Sequence, residues 1–346
     1  MSRRARDYDE SDVRIRPNRR GSRPRTKTRP AHADATPGRV VAVDRGRFTL
    51  LVQGRTVTAM KARELGRKGV VVGDAVAVVG DVSGGPDALA RIVRIEPRRS
   101  VLRRTADDVD PVERVIVANA DQLAIVTALA DPEPRVGMID RCLVAAYDAG
   151  LVPLLVLTKS DLGDPQEFLA AYADLPDIRV VVTGRTDLDD GAGDGSGLHG
   201  LSDLEEHLRG LVTVFVGHSG VGKSTLVNAL VPGADRATGH VNDVTGRGRH
   251  TSTSAIALRL PDDDGWIVDT PGVRSFGLAH VDPGEIITHF ADLEPGTRGC
   301  PRGCSHDEPE CGLDDFVASG GAGPAGAVRL ASLRRLLRAR AGESRD

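Results

Sequence analysis

The chain has little of what a membrane protein or a secreted protein needs. No apolar run in it reaches the roughly eighteen residues of a membrane-spanning helix, and its N-terminus lacks the apolar core of a signal peptide. It contains only four cysteines, and three of them fall within residues 300–311, which favours a metal site in a reducing compartment over disulfides. These absences predict a cytoplasmic protein with no membrane contact.

Lysine and aromatic residues are also scarce. Aromatic side chains make up 3% of the 346 residues, and lysine occurs at only five positions. Where arginine is the usual cation, a lysine indicates a need for a compact point charge. Two of the five lysines, Lys159 and Lys223, lie in the motifs described below. The formal net charge is −3, although the first thirty residues are strongly basic.

Composition divides the chain into four predicted parts, of which the first is a basic tail over residues 1–35. The segment from Val13 to Pro30 has eight basic residues and no acidic one. It has too few apolar residues to offset the entropy of ordering, so we expect disorder. Its charge suits a polyanion, most naturally RNA, whereas the alternative is a solvated tail with no partner.

The second part, residues 36–100, is rich in short strand-like runs separated by turn residues. The runs begin at Arg39, Arg47, Arg55, Ala75 and Leu89. Five short strands in about sixty residues predict a small barrel, most simply an OB-fold. OB-folds often bind oligonucleotides, but Phe48 alone is available for stacking, so we expect backbone or shape contacts with RNA.

The third part, residues 101–290, alternates strands and helices, which is typical of an α/β sheet. After a linker over 97–104, strands are predicted at Gln122–Thr127, Val152–Leu157, Ile178–Val182 and Leu211–Val216, helices at Met138–Ala149 and Pro165–Ala173, and a hairpin over Ala255–Val268. The stretch 233–254 has little periodic pattern. A structureless loop of that length inside a domain is usually functional.

A phosphate-loop pattern follows the strand Leu211–Val216 and precedes a helix predicted over Ser224–Leu230. It consists of Gly217, His218, Ser219, Gly220, Val221, Gly222, Lys223, Ser224 and Thr225. In such a loop the backbone amides and the helix N-terminus bind phosphate oxygens. We expect Lys223 to reach the β- and γ-phosphates and Ser224 to bind Mg²⁺. The alternative is an ordinary glycine turn before a helix.

A second motif, Asp269-Thr270-Pro271-Gly272, follows the second strand of the predicted hairpin. Its position after a buried strand and downstream of a phosphate loop is that of a carboxylate that binds Mg²⁺ directly or through water, which predicts this role for Asp269. Gly272 would let the backbone approach a γ-phosphate and donate its amide. Alone, this tetrapeptide indicates only a turn. Its position downstream of a phosphate loop is what predicts a nucleotide site.

The tetrapeptide Thr158-Lys159-Ser160-Asp161 follows another buried strand and is similar to the guanine-specificity motif N-K-x-D. We expect Asp161 to accept hydrogen bonds from guanine N1–H and the N2 amine, a donor pair that adenine lacks. The aliphatic stem of Lys159 would cover the face of the base. Thr158 replaces the usual Asn and can make only part of its bracing contacts. The alternative is a turn with exposed charges.

The order of the three motifs is unusual. In ordinary GTPases the phosphate loop comes first, whereas here the base motif (158–161) precedes the phosphate loop (217–225), which precedes 269–272. A crevice at the carboxyl ends of parallel strands does not depend on where the chain was cut, so the same site can form. We therefore predict a circular permutation.

This order resembles the ribosome small-subunit-dependent GTPase A (RsgA) family of bacterial small-subunit biogenesis factors. The matching stretches are residues 118–122 (A-N-A-D-Q), 158–161, 217–225, 246–251 (G-R-G-R-H-T) and 269–272. The resemblance implies GTP hydrolysis stimulated by the small ribosomal subunit during its late maturation. The implied partners are GTP, GDP, the small subunit and its rRNA, and we expect the protein to act as a monomer.

The resemblance also assigns residues to catalysis. It makes Thr251 the counterpart of the threonine that senses Mg²⁺, with Thr253 as a possible substitute. Val273 stands where many GTPases carry a glutamine that orients water. An apolar side chain cannot do this, so either another group orients the water or turnover is slow until a partner completes the site. His250 is the best local candidate.

The fourth part, residues 291–346, contains a predicted zinc site and a helix. Cys300, Cys304, His306 and Cys311 supply three thiolates and one imidazole, a complete tetrahedral set for structural Zn²⁺. The alternative is a set of free buried cysteines. In the helix predicted over Ala325–Arg340, an apolar stripe consists of Leu330, Leu333 and Leu337, and Arg329, Arg334, Arg335, Arg338 and Arg340 form a face suited to rRNA or to solvent.

The sequence as a whole predicts a multi-domain α/β protein with an N-terminal OB-fold barrel, a circularly permuted phosphate-loop GTPase domain and a C-terminal zinc-binding subdomain with a helix. It would use Mg²⁺ with GTP and one structural Zn²⁺. Two alternatives stay open, namely an RNA-binding protein in which the nucleotide is structural and a metabolic phosphohydrolase on the same fold.

Overall fold

The computed structural model describes residues 32–66, 69–105, 112–172, 178–186, 197–234, 255–271 and 276–341. The basic tail, the stretch 235–254 with His250, Thr251 and Thr253, and the positions Gly272 and Val273 lie outside the described residues. The predictions made for them, and the domain bounds drawn from the sequence, stay predictions.

The N-terminal strands form a closed five-stranded barrel, as predicted. They are β1 (Thr36–Asp44), β2 (Arg47–Val52), β3 (Arg55–Lys61), β4 (Ala75–Gly80) and β5 (Ala90–Ile95). The order is β1-β2-β3-β5-β4, and β4 pairs back onto β1 to close the barrel. Alternate residues point inward, and Val40, Leu50, Val57 and Ile92 are fully buried. The barrel is OB-like.

A hairpin that the sequence analysis missed leads from the barrel into the sheet. β6 (Val101–Arg104) pairs with β7 (Arg114–Ala118), and Leu102 and Val117 are buried between them and the core. The linker predicted over 97–104 therefore includes a strand in its second half. β6 has four residues, and two of them are arginines, so its sequence shows no alternation of apolar and polar residues. Pairing with β7 is what stabilises the strand.

The central sheet has the α/β architecture expected. Its strands are β8 (Gln122–Ala128), β9 (Val152–Thr158), β10 (Arg179–Val182), β13 (Val212–Gly217), β14 (Ile256–Arg259) and β15 (Trp266–Asp269), in the order β10-β9-β8-β13-β15-β14. All neighbours except β14 and β15 pair in parallel. β8 and β13 are buried along their whole length, which explains why they are continuous apolar runs.

Helices cover both faces of this sheet. They are α1 (Val136–Asp148), α2 (Gln166–Tyr172), α3 (Leu201–Leu208) and α4 (Lys223–Leu230). A short ribbon of β11 (Gly184–Arg185) and β12 (Leu198–His199) precedes α3. The sequence analysis missed α3, whose buried residues are the three leucines Leu201, Leu204 and Leu208.

The barrel and the central sheet are continuous. Ala42 of β1 pairs antiparallel with Ile256 of β14, so the strands of both parts make one eleven-stranded sheet. Trp266, the only tryptophan of the chain, lies at this junction with the guanidinium groups of Arg39 and Arg259 each 5.7 Å from its ring centroid. The pairing of β1 with β14 therefore connects the barrel, through β14, to β15, the strand that ends at Asp269.

The C-terminal part consists of short helical turns and two helices after α5 (Pro283–Ile286), namely α6 (Gly312–Ala318) and α7 (Gly326–Ala341). Leu330 and Leu333 are buried as predicted, and Leu336 rather than Leu337 is the third fully buried leucine of the stripe. None of the described helices has both the length and the apolar character that crossing a membrane requires.

The predicted arginine face of α7 requires a correction. Arg329 is 3% exposed, its guanidinium lies 4.2 Å from the ring centroid of Phe290, and it contacts Asp292 at 3.4 Å. The other described arginine side chains of the face pair with carboxylates: Arg334 with Asp314, Arg335 with Asp140 and Arg338 with Asp307. The prediction of a face suited to rRNA or to solvent was therefore wrong for the buried Arg329, while Arg335 and Arg338 remain about half exposed although they pair with carboxylates.

Candidate functional site

The phosphate loop has the predicted strand–loop–helix arrangement. β13 ends at Gly217, and α4 begins at Lys223. Gly220 and Gly222 have φ values of 85° and 94°, which favour glycine over other residues. At Gly217 a Cβ atom would lie 2.4 Å from the carbonyl oxygen of Val126, so glycine is needed there for close packing. The loop therefore places the N-terminus of α4 at the carboxyl end of β13.

Lys223 and Asp269 come together as the motif predictions require. The Lys223 Nζ lies 3.3 Å from Asp269 Oδ1 and donates to the Thr270 carbonyl at 2.8 Å. The lysine side chain is 9% exposed and the aspartate side chain 22%. Burial raises the pKa of Asp269, while the charge and hydrogen bond of Lys223 oppose the rise. The carboxylate is thus only partly compensated by the protein.

Thr270 fixes the turn that carries Asp269. Its hydroxyl donates to the Phe215 carbonyl of β13 at 2.7 Å, so the end of β15 is held against the strand that precedes the phosphate loop. Ser224 is the second residue of α4 and is exposed. The start of α4 offers a hydroxyl and the end of β15 a carboxylate, oxygen ligands of the kind that Mg²⁺ prefers, and Lys223, the residue before Ser224, contacts Asp269.

Thr158 joins the base motif to the phosphate loop. Its hydroxyl oxygen lies 2.6 Å from the carbonyl oxygen of Val221, which is 63 residues away, and 3.2 Å from the carbonyl oxygen of Thr127. The threonine hydroxyl thus makes a contact with the phosphate loop from the position where an asparagine is usual. This contact brings together motifs that the chain order separates.

A cavity of about 350 Å³ lies between the base motif and the start of α4. Its lining residues are Thr158, Lys159, Asp161, Leu162, Thr183, Gly184, Arg185, Leu198, Gly222, Thr225 and Leu226. The volume is at the lower end of the roughly 300–1,000 Å³ typical of small-molecule pockets. The predicted base-binding residues and the predicted phosphate-binding loop therefore share one cavity.

Asp161 and Lys159 line this cavity in different ways. Asp161 Oδ1 accepts a hydrogen bond from the Arg185 backbone N–H at 3.0 Å. A carboxylate has about four acceptor positions, so capacity is left for the two donors of a guanine. Lys159 adopts a positive φ of 58°, and its ammonium donates to the Asp131 carbonyl. Its stem therefore spans the cavity edge between the base motif and Asp131.

The sequence analysis did not assign Thr183, Gly184, Arg185 or Leu198 to the site. A signal was present, because Thr183-Gly184 follows the end of β10, the strand next to the one that carries Thr158. Residues after the carboxyl ends of neighbouring parallel strands share one edge of the sheet. Leu198 follows the Gly- and Asp-rich residues 187–197, and no pattern in the sequence places it at the site.

The four predicted zinc ligands form a compact cluster. The ligand atoms of Cys300, Cys304, His306 and Cys311 all lie within 4.8 Å of one another. Cys300 Sγ is 3.6 Å from His306 Nδ1 and 3.9 Å from Cys311 Sγ. A tetrahedral zinc with Zn–S of about 2.3 Å and Zn–N of about 2.0–2.1 Å separates its ligands by about 3.5–3.8 Å. The cluster is therefore compatible with Zn²⁺, which would draw its more distant ligand atoms slightly closer together.

Contacts outside the ligand set hold the cluster in place. The Arg334 side chain donates to the His306 carbonyl at 2.9 Å, and Glu308 accepts from the Ser305 backbone N–H at 2.9 Å. The loop is thus bound to α7 and to itself. The cluster leaves no ligand position open for a substrate, which is typical of a structural site.

Comparison with known proteins agrees with this arrangement. The sequence model of the RsgA GTPase family matches residues 95–279. The small ribosomal subunit biogenesis GTPase RsgA of Ectopseudomonas mendocina (strain ymp) is 40% identical over 248 residues, which cover 71% of this chain and 69% of that protein. The protein of the same name from Pseudomonas aeruginosa (strain LESB58) is 39% identical over 257 residues, covering 73% and 72%.

Two solved structures are similar in fold. The crystal structure of YjeQ from Thermotoga maritima has a TM-score of 0.65 and 26% identity, and the match covers 89% of this chain and 99% of that one. The structure of YloQ, described as a circularly permuted GTPase, has a TM-score of 0.62 at 20% identity and covers 91% and 98%. The second likeness concerns the fold alone, and it agrees with the permuted motif order.

Proposed function

Because the chain belongs to the RsgA GTPase family, it is a GTPase, and we propose that it acts on the small ribosomal subunit during the late maturation of that subunit. The observation that carries the proposal is the cavity that Thr158 and Asp161 of the base motif share with Gly222 and Thr225 of the phosphate loop. The relatives named above are small ribosomal subunit biogenesis GTPases, which supports this choice of partner.

We assign base recognition to residues 158–161 and phosphate binding to residues 217–225. Asp161 accepts from guanine N1–H and the N2 amine, and the Lys159 stem covers the base. The phosphate-loop amides bind phosphate oxygens, and Lys223 reaches the β- and γ-phosphates from its place beside Asp269. Thr158 holds the two halves of the site at a fixed separation through its contact with Val221.

Ser224 and Asp269 are the residues that would bind Mg²⁺. Their chemistry fits the ion, because both offer oxygen and Asp269 is a partly buried carboxylate whose pKa burial raises despite Lys223. A bound Mg²⁺ neutralises charge on the β- and γ-phosphates. We further propose that the Gly272 amide contacts the γ-phosphate and that Thr251 senses the metal.

His250 is our candidate for orienting the attacking water, because Val273 cannot do so. His250→Ala should keep GTP affinity and lower turnover on the small subunit by roughly 10²-fold, the loss typical of one positioning or acid–base group. Single-turnover kinetics with saturating GTP test this. Full stimulated turnover in the variant would assign the water to another group.

The cysteine cluster is proposed to hold one structural Zn²⁺. Elemental analysis of protein purified without chelator should find about one zinc per chain, because three thiols and one imidazole lie within 4.8 Å of one another. Cys304→Ser should lose the metal and loosen the C-terminal part while nucleotide affinity stays. Protein that contains no zinc would contradict the assignment.

The partners follow from the ribosomal proposal. The barrel and the basic residues 1–35 would contact rRNA, and the protein would act as a cytoplasmic monomer on the small subunit. Removing residues 1–35 should lower the affinity for the subunit and flatten its salt dependence, because fewer phosphate counterions are released. A plain RNA-binding protein would bind without hydrolysis, and a metabolic phosphohydrolase would turn over without RNA.

Single-turnover hydrolysis of γ-labelled GTP by the full chain tests the proposal. It should be slow alone, much faster with small ribosomal subunits and little changed by large subunits. The Lys223→Met variant, mixed with the same subunits, measures any GTPase that the ribosomes bring with them. Equal stimulation by both subunits would leave only nonspecific RNA binding, and the small-subunit assignment would fall.

A further inference from the structure

A short ribbon outside the sequence motifs lies against the base motif. β11 (Gly184–Arg185) and β12 (Leu198–His199) pair antiparallel, with Gly184 opposite His199 and Arg185 opposite Leu198. Thr183, which precedes the ribbon, receives the Ser160 backbone N–H at 3.2 Å. Arg185 and Leu198 line the proposed base cavity. The ribbon is therefore part of the wall of that cavity.

His199 makes a side-chain contact with the base motif itself. Its Nε2 lies 2.8 Å from Ser160 Oγ, and Ser160 Oγ lies 3.2 Å from the carbonyl oxygen of Thr183. A serine hydroxyl has one hydrogen, and a carbonyl oxygen only accepts. Both contacts are satisfied when Ser160 donates to Thr183 and His199 donates to Ser160 from Nε2–H.

Gly184 lies directly beneath this contact. A Cβ atom at residue 184 would be 2.4 Å from Ser160 Oγ and 2.6 Å from His199 Nε2. Such distances do not occur between real side chains, so the serine and the histidine close over a position that only glycine can occupy. The ribbon and the base motif are consequently packed without a gap at this point.

The next residue of the ribbon positions the carboxylate expected to recognise guanine. The Arg185 backbone N–H donates to Asp161 Oδ1 at 3.0 Å. The ribbon therefore bonds to two consecutive residues of the base motif, to Ser160 through His199 and to Asp161 through Arg185. If the ribbon moves away from Ser160, the donor that orients Asp161 moves with it.

We propose that His199 is a positioning residue for guanine recognition. By donating to Ser160 it holds the ribbon against the base motif, so that the Asp161 carboxylate is presented to the N1–H and the N2 amine of the base. His199 acts through Ser160 and Arg185 and makes no contact with the nucleotide. The inference rests on the proposed assignment of residues 158–161 to base recognition.

The test compares GDP with IDP, whose hypoxanthine base has N1–H but lacks the N2 amine. Asp161 can accept two hydrogen bonds from guanine and only one from hypoxanthine, so a misoriented carboxylate should weaken GDP more than IDP. For His199→Ala we expect roughly a fivefold to tenfold loss of GDP affinity in a direct titration, the effect of about one hydrogen bond, and a smaller loss for IDP. Hydrolysis at saturating GTP should be unchanged.

Three further variants separate this role from a general loosening of the fold. His199→Gln places an amide donor near the Nε2 position and should recover most of the GDP preference. Ser160→Ala combined with His199→Ala should resemble either single variant, because two residues that act through one contact are not additive. His207→Ala, a histidine of α3 that contacts Arg179 and Asp203 outside the cavity, should leave the preference intact.

The outcomes are distinguishable. If His199→Ala keeps the wild-type ratio of GDP to IDP affinity, or lowers both affinities equally, the inference is wrong while the base motif keeps its assignment. If wild-type protein itself shows no preference for GDP over IDP, the base-motif assignment and the inference both fall. Thermal unfolding of each variant establishes that it folds, and His199→Gln keeps the test decisive if the alanine variant does not.

Discussion

The two ends of the central parallel strands use polar residues in opposite ways. At the amino end Asp121 accepts from Arg99 at 3.0 Å and from the Val212 backbone N–H at 2.9 Å, and Thr213 donates to Gln122 at 3.0 Å. At the carboxyl end lie the residues of the nucleotide site. β13 carries residues of both sets, Thr213 near its amino end and Gly217 at its carboxyl end, so the contrast shows what distinguishes a structural polar residue from one that serves a ligand.

At the amino end of the strands and next to the barrel, the polar side chains have their hydrogen-bonding capacity filled by other groups of the protein. Asp74 is fully buried, and its two oxygens accept from Arg98 at 2.7 and 2.9 Å while the Val71 backbone N–H also donates to it. Asn119 donates to the Gly73 carbonyl at 3.0 Å and accepts from the Arg99 backbone at 2.8 Å. These groups satisfy one another, so they stabilise the fold and have little left to bind with.

At the carboxyl end, the protein compensates the charges of the carboxylates only in part. Asp269 has Lys223 at 3.3 Å, and burial still raises its pKa. Asp161 accepts one backbone hydrogen bond and lies exposed at the cavity. Buried or half-buried charges that the protein compensates only in part are typical of functional sites. The fully buried carboxylate of Asp74 and the partly buried carboxylate of Asp269 should therefore respond differently to the same substitution.

The largest effect is expected from Asp74→Asn. The change removes the charge that Arg98 pairs with and should lower the free energy of unfolding by about 3 kcal/mol, because breaking a buried ion pair leaves an uncompensated group. Denaturant titration followed by the fluorescence of Trp266, at the junction, measures it. Asp81→Asn, an exposed barrel aspartate, is the control and should leave stability unchanged. The GDP affinity of the folded Asp74→Asn variant should be unchanged. A lower affinity would show that Asp74 also affects the nucleotide site.

Lys223→Met should show the reverse pattern. Stimulated GTP hydrolysis should fall by roughly 10²–10³-fold, the loss typical of one preorganised charge in an active site, while stability changes little. Lys61→Met in the barrel, whose ammonium donates to the Gly66 carbonyl, is the matched control and should hydrolyse normally. If Lys223→Met unfolds as easily as Asp74→Asn, the contrast between the two ends is lost.

The smallest effect is expected from Asp269→Asn, and its sign matters most. Because the pKa of Asp269 is raised in the folded protein, its ionised form destabilises the fold above that pKa, and a neutral amide should raise the free energy of unfolding on the order of 1 kcal/mol at pH 7. The gain should shrink as the pH falls through the raised pKa of Asp269 and vanish below the ordinary aspartate pKa of about 3.9, where both folded and unfolded chains are protonated. Denaturant titrations at both pH values test this, and a clear loss of stability at pH 7 would contradict it.

Local sequence patterns predicted the features that depend on residues close together in the chain. The phosphate loop and the strand before it, the barrel strands and the cysteine cluster were recognisable because each is specified within a few residues of sequence. The permutation was recognisable from the order of motifs alone. For these features the structure added distances, such as the 2.6 Å contact between Thr158 and Val221, rather than new elements.

Contacts between residues far apart in the chain could not be predicted from the sequence. Arg329 looked like a surface arginine of α7, and only the fold brings Asp292 and Phe290 to it. The hairpin of β6 was hidden because its partner β7 lies ten residues further along. His199 contacts Ser160 of the base motif from beyond the Gly- and Asp-rich residues 187–197, and Arg185 contacts Asp161 from 24 residues further along the chain. In each case the physical cause is a partner that tertiary structure supplies and local propensity does not encode.

The most direct test of the assembled site is a titration of wild-type protein and Asp161→Asn with GDP and XDP. Xanthine carries a carbonyl where guanine has the N2 amine, so the amide of the variant should match xanthine as the carboxylate matches guanine. Wild-type protein should prefer GDP, and Asp161→Asn should lose GDP affinity by about tenfold or more and prefer XDP, since one reversed hydrogen bond costs on the order of 1–3 kcal/mol. An unchanged GDP affinity in Asp161→Asn would contradict the account.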